Sequence, residues 1–126
     1  MRTEKTTRKF SIKDRISSFR YAINGIVYLL KTEHNARIHS VVAIIVVIAS
    51  FILKIAKWEW ICVIFAIGLV FMTELINTSL EYLADVISPG DNDKVGKAKD
   101  LAAGAVLVAS LIALLVGCIV FIPKLF

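Results

Sequence analysis

The chain has 126 residues, of which 58% are hydrophobic, and a formal net charge of +5 at pH 7; its mean hydropathy is +0.78. Soluble domains are only about 45–50% apolar, so the composition excludes an ordinary soluble protein and indicates one membrane domain over residues 1–126. The basic residues flank apolar segments. They therefore favour attraction to anionic lipid headgroups and orientation of membrane spans over binding to nucleic acid.

The N-terminal part of the chain predicts a helix that lies on the membrane surface. Residues 1–8 are polar, and residues 9–32 form the predicted helix, with Ser11 and Asp14 as a capping pair near its start. The apolar residues that recur every three or four positions on one face are Ile12, Ile16, Phe19, Ile23, Ile26 and Leu30. Basic residues interrupt this pattern, and a basic amphipathic helix lies in the interface instead of spanning the bilayer.

Three apolar segments predict transmembrane helices at residues 35–57, 60–87 and 100–123. The second corresponds to roughly 42 Å of helix, longer than a hydrocarbon core of about 30 Å, so its end should protrude from the membrane. DNDKVGKAKD, between the last two spans, is predicted to be a polar loop. Twelve lysine and arginine residues lie on the side of the N-terminus and this loop, and three lie on the other side. The positive-inside rule therefore predicts that the N-terminus and the loop are cytoplasmic.

A polar stripe interrupts the inner half of the second span. Its four residues fall within an arc of roughly 80° on one helix face, and they are Glu74, Asn77, Glu81 and Asp85. Carboxylates inside a bilayer are costly and need partners, so an intramembrane acidic stripe predicts a functional site. The polar residues cluster at one membrane face and do not line a path across it. This arrangement favours interfacial chemistry over conduction.

The residue types of this region suggest phosphoryl transfer. Glu33, Glu81 and Asp85 offer the hard oxygen ligands that Mg²⁺ prefers. Lys99 can contact a phosphate as a point charge, and Glu74, set deeper, is placed to take a proton from a lipid hydroxyl. A metal, a cation and a base are the groups that phosphoryl transfer requires. Structural polar packing and a small transport or regulatory protein are the alternatives that the residues leave open.

ELINTSLEYLAD, followed by KAKD and AAGAV, resembles the signature of the prokaryotic diacylglycerol kinase family. The resemblance extends back through EHNARIH and covers essentially residues 10–126. It implies an all-α integral membrane protein of the bacterial cytoplasmic membrane, with an amphipathic surface helix, three transmembrane helices and a homotrimeric assembly whose active sites form between subunits. It also implies phosphorylation of a membrane lipid by ATP with Mg²⁺, without a glycine-rich phosphate loop.

The resemblance implies roles for individual residues. Glu74 matches the proposed catalytic base of the family, and Asn77 matches the amide beside it that positions reacting groups. Glu33 and Glu81 match the carboxylates that hold the divalent metal on ATP.

Other positions match the nucleotide side of the family site. Lys99 and Asp100 match a lysine and an aspartate near the phosphates, and Tyr21 matches an aromatic residue beside the nucleotide. Asp85 matches a further acidic position, whose role is open between the site and its support. Asn92 stands where the family often carries a histidine that helps to hold the nucleotide, which is a departure from the pattern.

The ending CIVFIPKLF and the central TELINTSLEYLAD look more like the undecaprenol kinases of this family. Undecaprenol is therefore the predicted acceptor, with diacylglycerol as the alternative. A phosphatase-type enzyme is disfavoured because the sequence shows no phosphatase histidine motif. A non-catalytic scaffold or sensor is disfavoured because the matching acidic residues are intact. His34 and His39 match no site position and are interpreted as interfacial polar residues.

Overall fold

The computed structural model describes residues 10–126, and its four regular elements are all helices: α1 (Ile12–Thr32), α2 (His34–Ile52), α3 (Lys57–Ile87) and α4 (Asp93–Leu125). Within this range α2, α3 and α4 are long and apolar enough to cross a membrane. The predicted all-α architecture with three candidate spans is thereby confirmed. The predicted polar segment 1–8 and the predicted helix start at Lys9 lie outside the described residues.

Helix α1 is attached to α3 through a small aromatic contact. It starts after Ser11, whose hydroxyl accepts a hydrogen bond from the Asp14 N–H at 3.4 Å. Tyr28 packs edge-on against Tyr82 of α3, with ring centroids 6.2 Å apart, and the neighbouring Leu29 is buried. The other apolar side chains of α1 are exposed in the single chain. Its position on a membrane surface stays a prediction.

Helix α2 ends five residues before the predicted boundary at residue 57. Lys54 adopts a left-handed backbone conformation with φ of 49°. Its N–H donates to the Phe51 carbonyl at 3.3 Å, and the Ile55 N–H donates to the Ser50 carbonyl at 3.2 Å. This pair of hydrogen bonds is a Schellman motif, which satisfies the last carbonyls of a helix and stops it. The predicted boundary is therefore wrong, and α2 stops at Ile52.

Helices α3 and α4 form an antiparallel hairpin with the most extensive interface in the molecule. The predicted polar loop is helical from its third residue, Asp93, onwards, because Asn92 caps α4. Its Oδ1 accepts from the N–H groups of Lys94 at 3.0 Å and Val95 at 3.3 Å. The predicted start of this helix at residue 100 is wrong, and Lys99 and Asp100 lie on α4.

The opposite end of the hairpin is held by a small core and an ion pair. The buried core residues at this end are Ile55, Val63 and Val120. α3 begins three residues before the predicted position 60, and Glu59 in its first turn folds back so that its Oε2 accepts from the Ala56 N–H at 2.6 Å. The same oxygen lies 3.0 Å from the Lys124 ammonium of α4. These contacts tie the α2–α3 turn to the end of α4.

Candidate functional site

Burial decreases along the polar stripe of α3. Glu74 is only 2% exposed, Asn77 and Glu81 are partly buried, and the Asp85 side chain is 70% exposed. The deepest carboxylate is therefore shielded by protein, while the outermost one can meet a soluble molecule. The expectation that Glu74 lies deeper in the membrane than Glu81 and Asp85 stays a prediction.

Asn77 orients one carboxylate and keeps an acceptor of its own. Its Nδ2 donates to Glu81 Oε1 at 3.0 Å, one turn further along α3. Its Oδ1 is buried and has no hydrogen-bond partner in the described part of the chain. A buried acceptor without a partner costs about 1–3 kcal/mol, and such groups are expected where a ligand completes the site.

Lys99 brings a cation from α4 onto the exposed end of the stripe. Its Nζ lies 2.7 Å from Asp85 Oδ1, and it is close enough to Glu81 for the two charges to interact. The helical start of α4 makes this possible, because it fixes Lys99 on the face that packs against α3. Three predicted site residues, Glu81, Asp85 and Lys99, thus come together.

Glu33 lies at the junction of α1 and α2, where its backbone ends one helix and begins the next. It forms no ion pair within residues 10–126, and its place in the site stays a prediction. Arg37 holds the junction, since its Nε donates to the Leu30 carbonyl at 2.9 Å and its guanidinium also reaches the Lys31 carbonyl. Arg37 was not among the predicted site residues. The sequence feature that could have indicated its role is a basic residue shortly after the end of α1, because such residues often donate to the last carbonyls of a helix.

His39 contacts the buried carboxylate of the stripe. Its Nε2 lies 3.3 Å from Glu74 Oε1, and its side chain is 26% exposed against 3% for that of Glu74. The interpretation of His39 as an interfacial polar residue did not include this contact, whereas His34 is exposed at the start of α2. A polar side chain beside a long apolar run needs a partner, and this was the signal that the sequence offered.

Two predicted nucleotide-side residues stand apart from the stripe. Tyr21 is 72% exposed on α1, and Asp100 is exposed on α4. Neither makes a side-chain hydrogen bond or an ion pair within residues 10–126. Their predicted roles stay predictions.

An apolar groove of about 510 Å³ lies between α2, α3 and α4. Most of its lining is aliphatic, as in Val42, Val46, Val63, Val70, Leu114 and Ile122. His39 also lines it, at the end nearest Glu74. The groove and the polar stripe therefore meet at this histidine.

Sequence comparisons place these residues among known proteins. The family model for prokaryotic diacylglycerol kinase matches residues 20–121. The chain is 37% identical over 108 residues to the undecaprenol kinase of Bacillus subtilis (strain 168), which covers 86% of this chain and 88% of that protein. It is 37% identical over 109 residues to a diacylglycerol kinase of Synechocystis, covering 86% of this chain and 62% of that protein. A diacylglycerol kinase of Haemophilus influenzae is 31% identical over 94 residues, with 75% and 80% covered.

Proposed function

This chain belongs to the prokaryotic diacylglycerol kinase family and is a lipid kinase, and on that premise we propose that it transfers the γ-phosphate of ATP to undecaprenol. The observation that carries the proposal is the graded stripe of α3. It presents a buried carboxylate, Glu74, at one end and an ion-paired lysine, Lys99, at the other. The proposed proton acceptor on α3 and the proposed phosphate-binding cation on α4 therefore lie at opposite ends of the stripe.

Glu74 is the proposed base. It accepts the proton of the lipid hydroxyl while the lipid oxygen forms a bond to the γ-phosphorus. The bond between that phosphorus and the bridging oxygen breaks, and ADP leaves with the electron pair. The protein then holds the phosphorylated lipid, ADP and a proton on Glu74. Burial of Glu74 keeps water away from the reacting oxygen, which limits hydrolysis of ATP.

Asn77 and Lys99 are the proposed positioning and phosphate-binding residues. The unpartnered Asn77 Oδ1 is available to orient a reacting group, while its Nδ2 fixes Glu81. Lys99 leaves Asp85 to contact the phosphates of ATP as a point charge. Tyr21 and Asp100 complete the nucleotide side, with the aromatic ring beside the base.

Glu33 and Glu81 are the residues proposed to hold Mg²⁺ on ATP. Among residues 10–126, no three or more acidic, histidine or cysteine side chains converge on one point that could enclose a metal ion. Mg²⁺ commonly binds one or two carboxylates together with substrate phosphates, and Glu33 and Glu81 would supply the carboxylates. The chemistry that the bound ion supplies is neutralisation of phosphate charge in the transition state.

The preference for undecaprenol rests on the similarity to the Bacillus subtilis undecaprenol kinase, which extends over 88% of that protein, against 62% of the Synechocystis diacylglycerol kinase. The groove between the three spans is proposed to accommodate the apolar chain of the acceptor, because it is continuous with the Glu74 site through His39. Diacylglycerol is the second candidate, favoured by the similarity to the diacylglycerol kinases of Synechocystis and Haemophilus influenzae.

The proposed assembly is a homotrimer in the bacterial cytoplasmic membrane, with the N-terminus and the site facing ATP in the cytoplasm. The exposed apolar faces of the spans support it, for example Phe65, which is 75% exposed in the single chain. Such faces require lipid or a neighbouring subunit. Basic residues near the membrane surface would bind anionic lipid headgroups.

The test is phosphorylation of undecaprenol and diacylglycerol side by side in mixed micelles, with labelled ATP and with Mg²⁺ or a chelator. Product formed mainly on undecaprenol, and only with Mg²⁺, supports the proposal. Product on diacylglycerol alone contradicts undecaprenol as the acceptor but agrees with ATP as the phosphoryl donor. No product on either lipid from folded wild-type protein contradicts the proposal as a whole.

A further inference from the structure

His39 has no part in the function described so far, yet its imidazole contacts the proposed base. Its Nε2 lies 3.3 Å from Glu74 Oε1. That oxygen is fully buried and accepts no aligned hydrogen bond in the described part of the chain. The contact is therefore an electrostatic one that tightens into a hydrogen bond with a small rotation of either side chain.

The ion-pair geometry of the stripe gives each of its ends a basic partner. At the exposed end, Lys99 is engaged by Asp85. At the buried end, the side chain that contacts Glu74 is His39. The stripe thus has two basic partners from two helices. α4 supplies Lys99 for its exposed end, and α2 supplies His39 for its buried end.

His39 also lines the apolar groove at the end nearest Glu74. A lipid chain lying in the groove would bring its terminal hydroxyl past the imidazole before it reached the carboxylate. His39 engages Oε1 of Glu74, so the other oxygen, Oε2, is left to receive a proton. His39 therefore lies between the groove and Glu74, where it can set the orientation of the base relative to an acceptor hydroxyl.

We propose that His39 is a positioning residue for the lipid acceptor: it holds Glu74 by Oε1, so that Oε2 faces the hydroxyl of an alcohol whose chain occupies the groove. The inference rests on the proposed function. In the step that it supports, Oε2 takes the hydroxyl proton as the lipid oxygen bonds to the γ-phosphorus and ADP departs with the electron pair of the broken bond. His39 neither gains nor loses a proton in this step.

Two substitutions of similar length separate positioning from packing. His39→Gln keeps a donor that can reach Glu74, and His39→Met fits an apolar lining but offers no donor. His34→Met makes the same change at the exposed histidine five residues earlier on α2. Lipid kinase kcat, the KM for ATP and thermal unfolding would be measured for each variant beside the wild type.

We expect His39→Met to lower kcat on the order of 10²-fold, because misplacement of a reacting group by about 1 Å has an effect of that size. The KM for ATP should stay within about twofold, because the nucleotide lies at the other end of the stripe. His39→Gln should recover most of the lost kcat, and His34→Met should behave as the wild type.

Three results would overturn the inference. The first is an unchanged kcat in His39→Met, which leaves the proposed function standing. The second is a loss that appears only in the KM for ATP. The third is an equal loss in the Gln and Met variants that follows their thermal stability, which would make the contact purely structural. If wild-type protein phosphorylates no lipid, the proposed function fails, and the role of His39 fails with it.

Discussion

Lys99 of α4 and Asp85 of α3 form an ion pair of 2.7 Å at the exposed end of the polar stripe, and Glu81 lies within electrostatic reach of the same lysine. The pair joins the two helices of the hairpin at the point where ATP phosphates are proposed to bind. Asp85 therefore keeps the Lys99 ammonium near the site before nucleotide binds. In the proposed complex, a phosphate of ATP would replace Asp85 as the partner of Lys99.

Substitution of Lys99 by Met should raise the KM for ATP at least about tenfold, since a charge-assisted contact to phosphate is worth about 1.5–3 kcal/mol. Asp85→Asn should change the KM for ATP far less, because the lysine remains on the same helix face. Steady-state kinetics with varied ATP at saturating lipid measure both. Equal effects of the two substitutions would mean that the ion pair matters only for packing.

Glu74→Gln should lower kcat by about 10²–10⁴-fold, the range that general-base catalysis contributes. The KM for ATP should stay near the wild-type value. Glu59→Gln serves as the comparison, because Glu59 is also buried and ion-paired but lies at the opposite end of α3. A Glu74→Gln protein that still phosphorylated lipid at the wild-type rate would refute the assignment of the base.

Removal of the proposed metal ligand Glu81 should shift the dependence on Mg²⁺. In Glu81→Ala we expect the Mg²⁺ concentration for half-maximal activity to rise on the order of tenfold, since loss of a ligating carboxylate weakens metal binding. Asp91→Ala, in the exposed turn before α4, should leave it unchanged. A Mg²⁺ titration at fixed ATP provides the measurement, and identical curves for the two variants would argue against Glu81 as a ligand.

Lys54→Gly should stabilise the turn between α2 and α3 by about 0.5–1 kcal/mol, because glycine adopts positive φ without the steric cost that a side chain adds. The same change at Lys97, inside α4, should destabilise the protein by about 1 kcal/mol. Equilibrium unfolding in detergent compares the two variants. A destabilised Lys54→Gly protein would show that the turn depends on the lysine side chain.

The family and the lipid kinase activity were predictable from short motifs in α2, α3 and α4 and are confirmed by the comparisons. Periodicity reports which residues share a face, so the stripe from Glu74 to Asp85 could be read directly from the sequence. Length and hydropathy were likewise enough for three candidate spans, because both are local properties of the chain.

The features that were missed depend on contacts between distant residues or on backbone conformation. His39 and Glu74 are 35 positions apart in the sequence, and no periodicity relates residues on different helices. The end of α2 is set by a positive φ at Lys54, where the sequence offers none of the glycine or asparagine that usually marks such a turn. The helical start of α4 was concealed because Asn92, which caps it, lies in a run of charged residues typical of loops.

The hairpin of α3 and α4 is fastened at both ends, by Lys99–Asp85 at one and Lys124–Glu59 at the other, whereas α1 and α2 adjoin it through much smaller interfaces. The hairpin carries Glu74, Glu81 and Lys99, whereas α1, α2 and their junction carry Glu33 and His39. Because local stability falls with contact density, we expect α1 and α2 to move more readily than the hairpin. Such a movement would displace Glu33 and His39 while the spacing of Glu74, Glu81 and Lys99 is preserved.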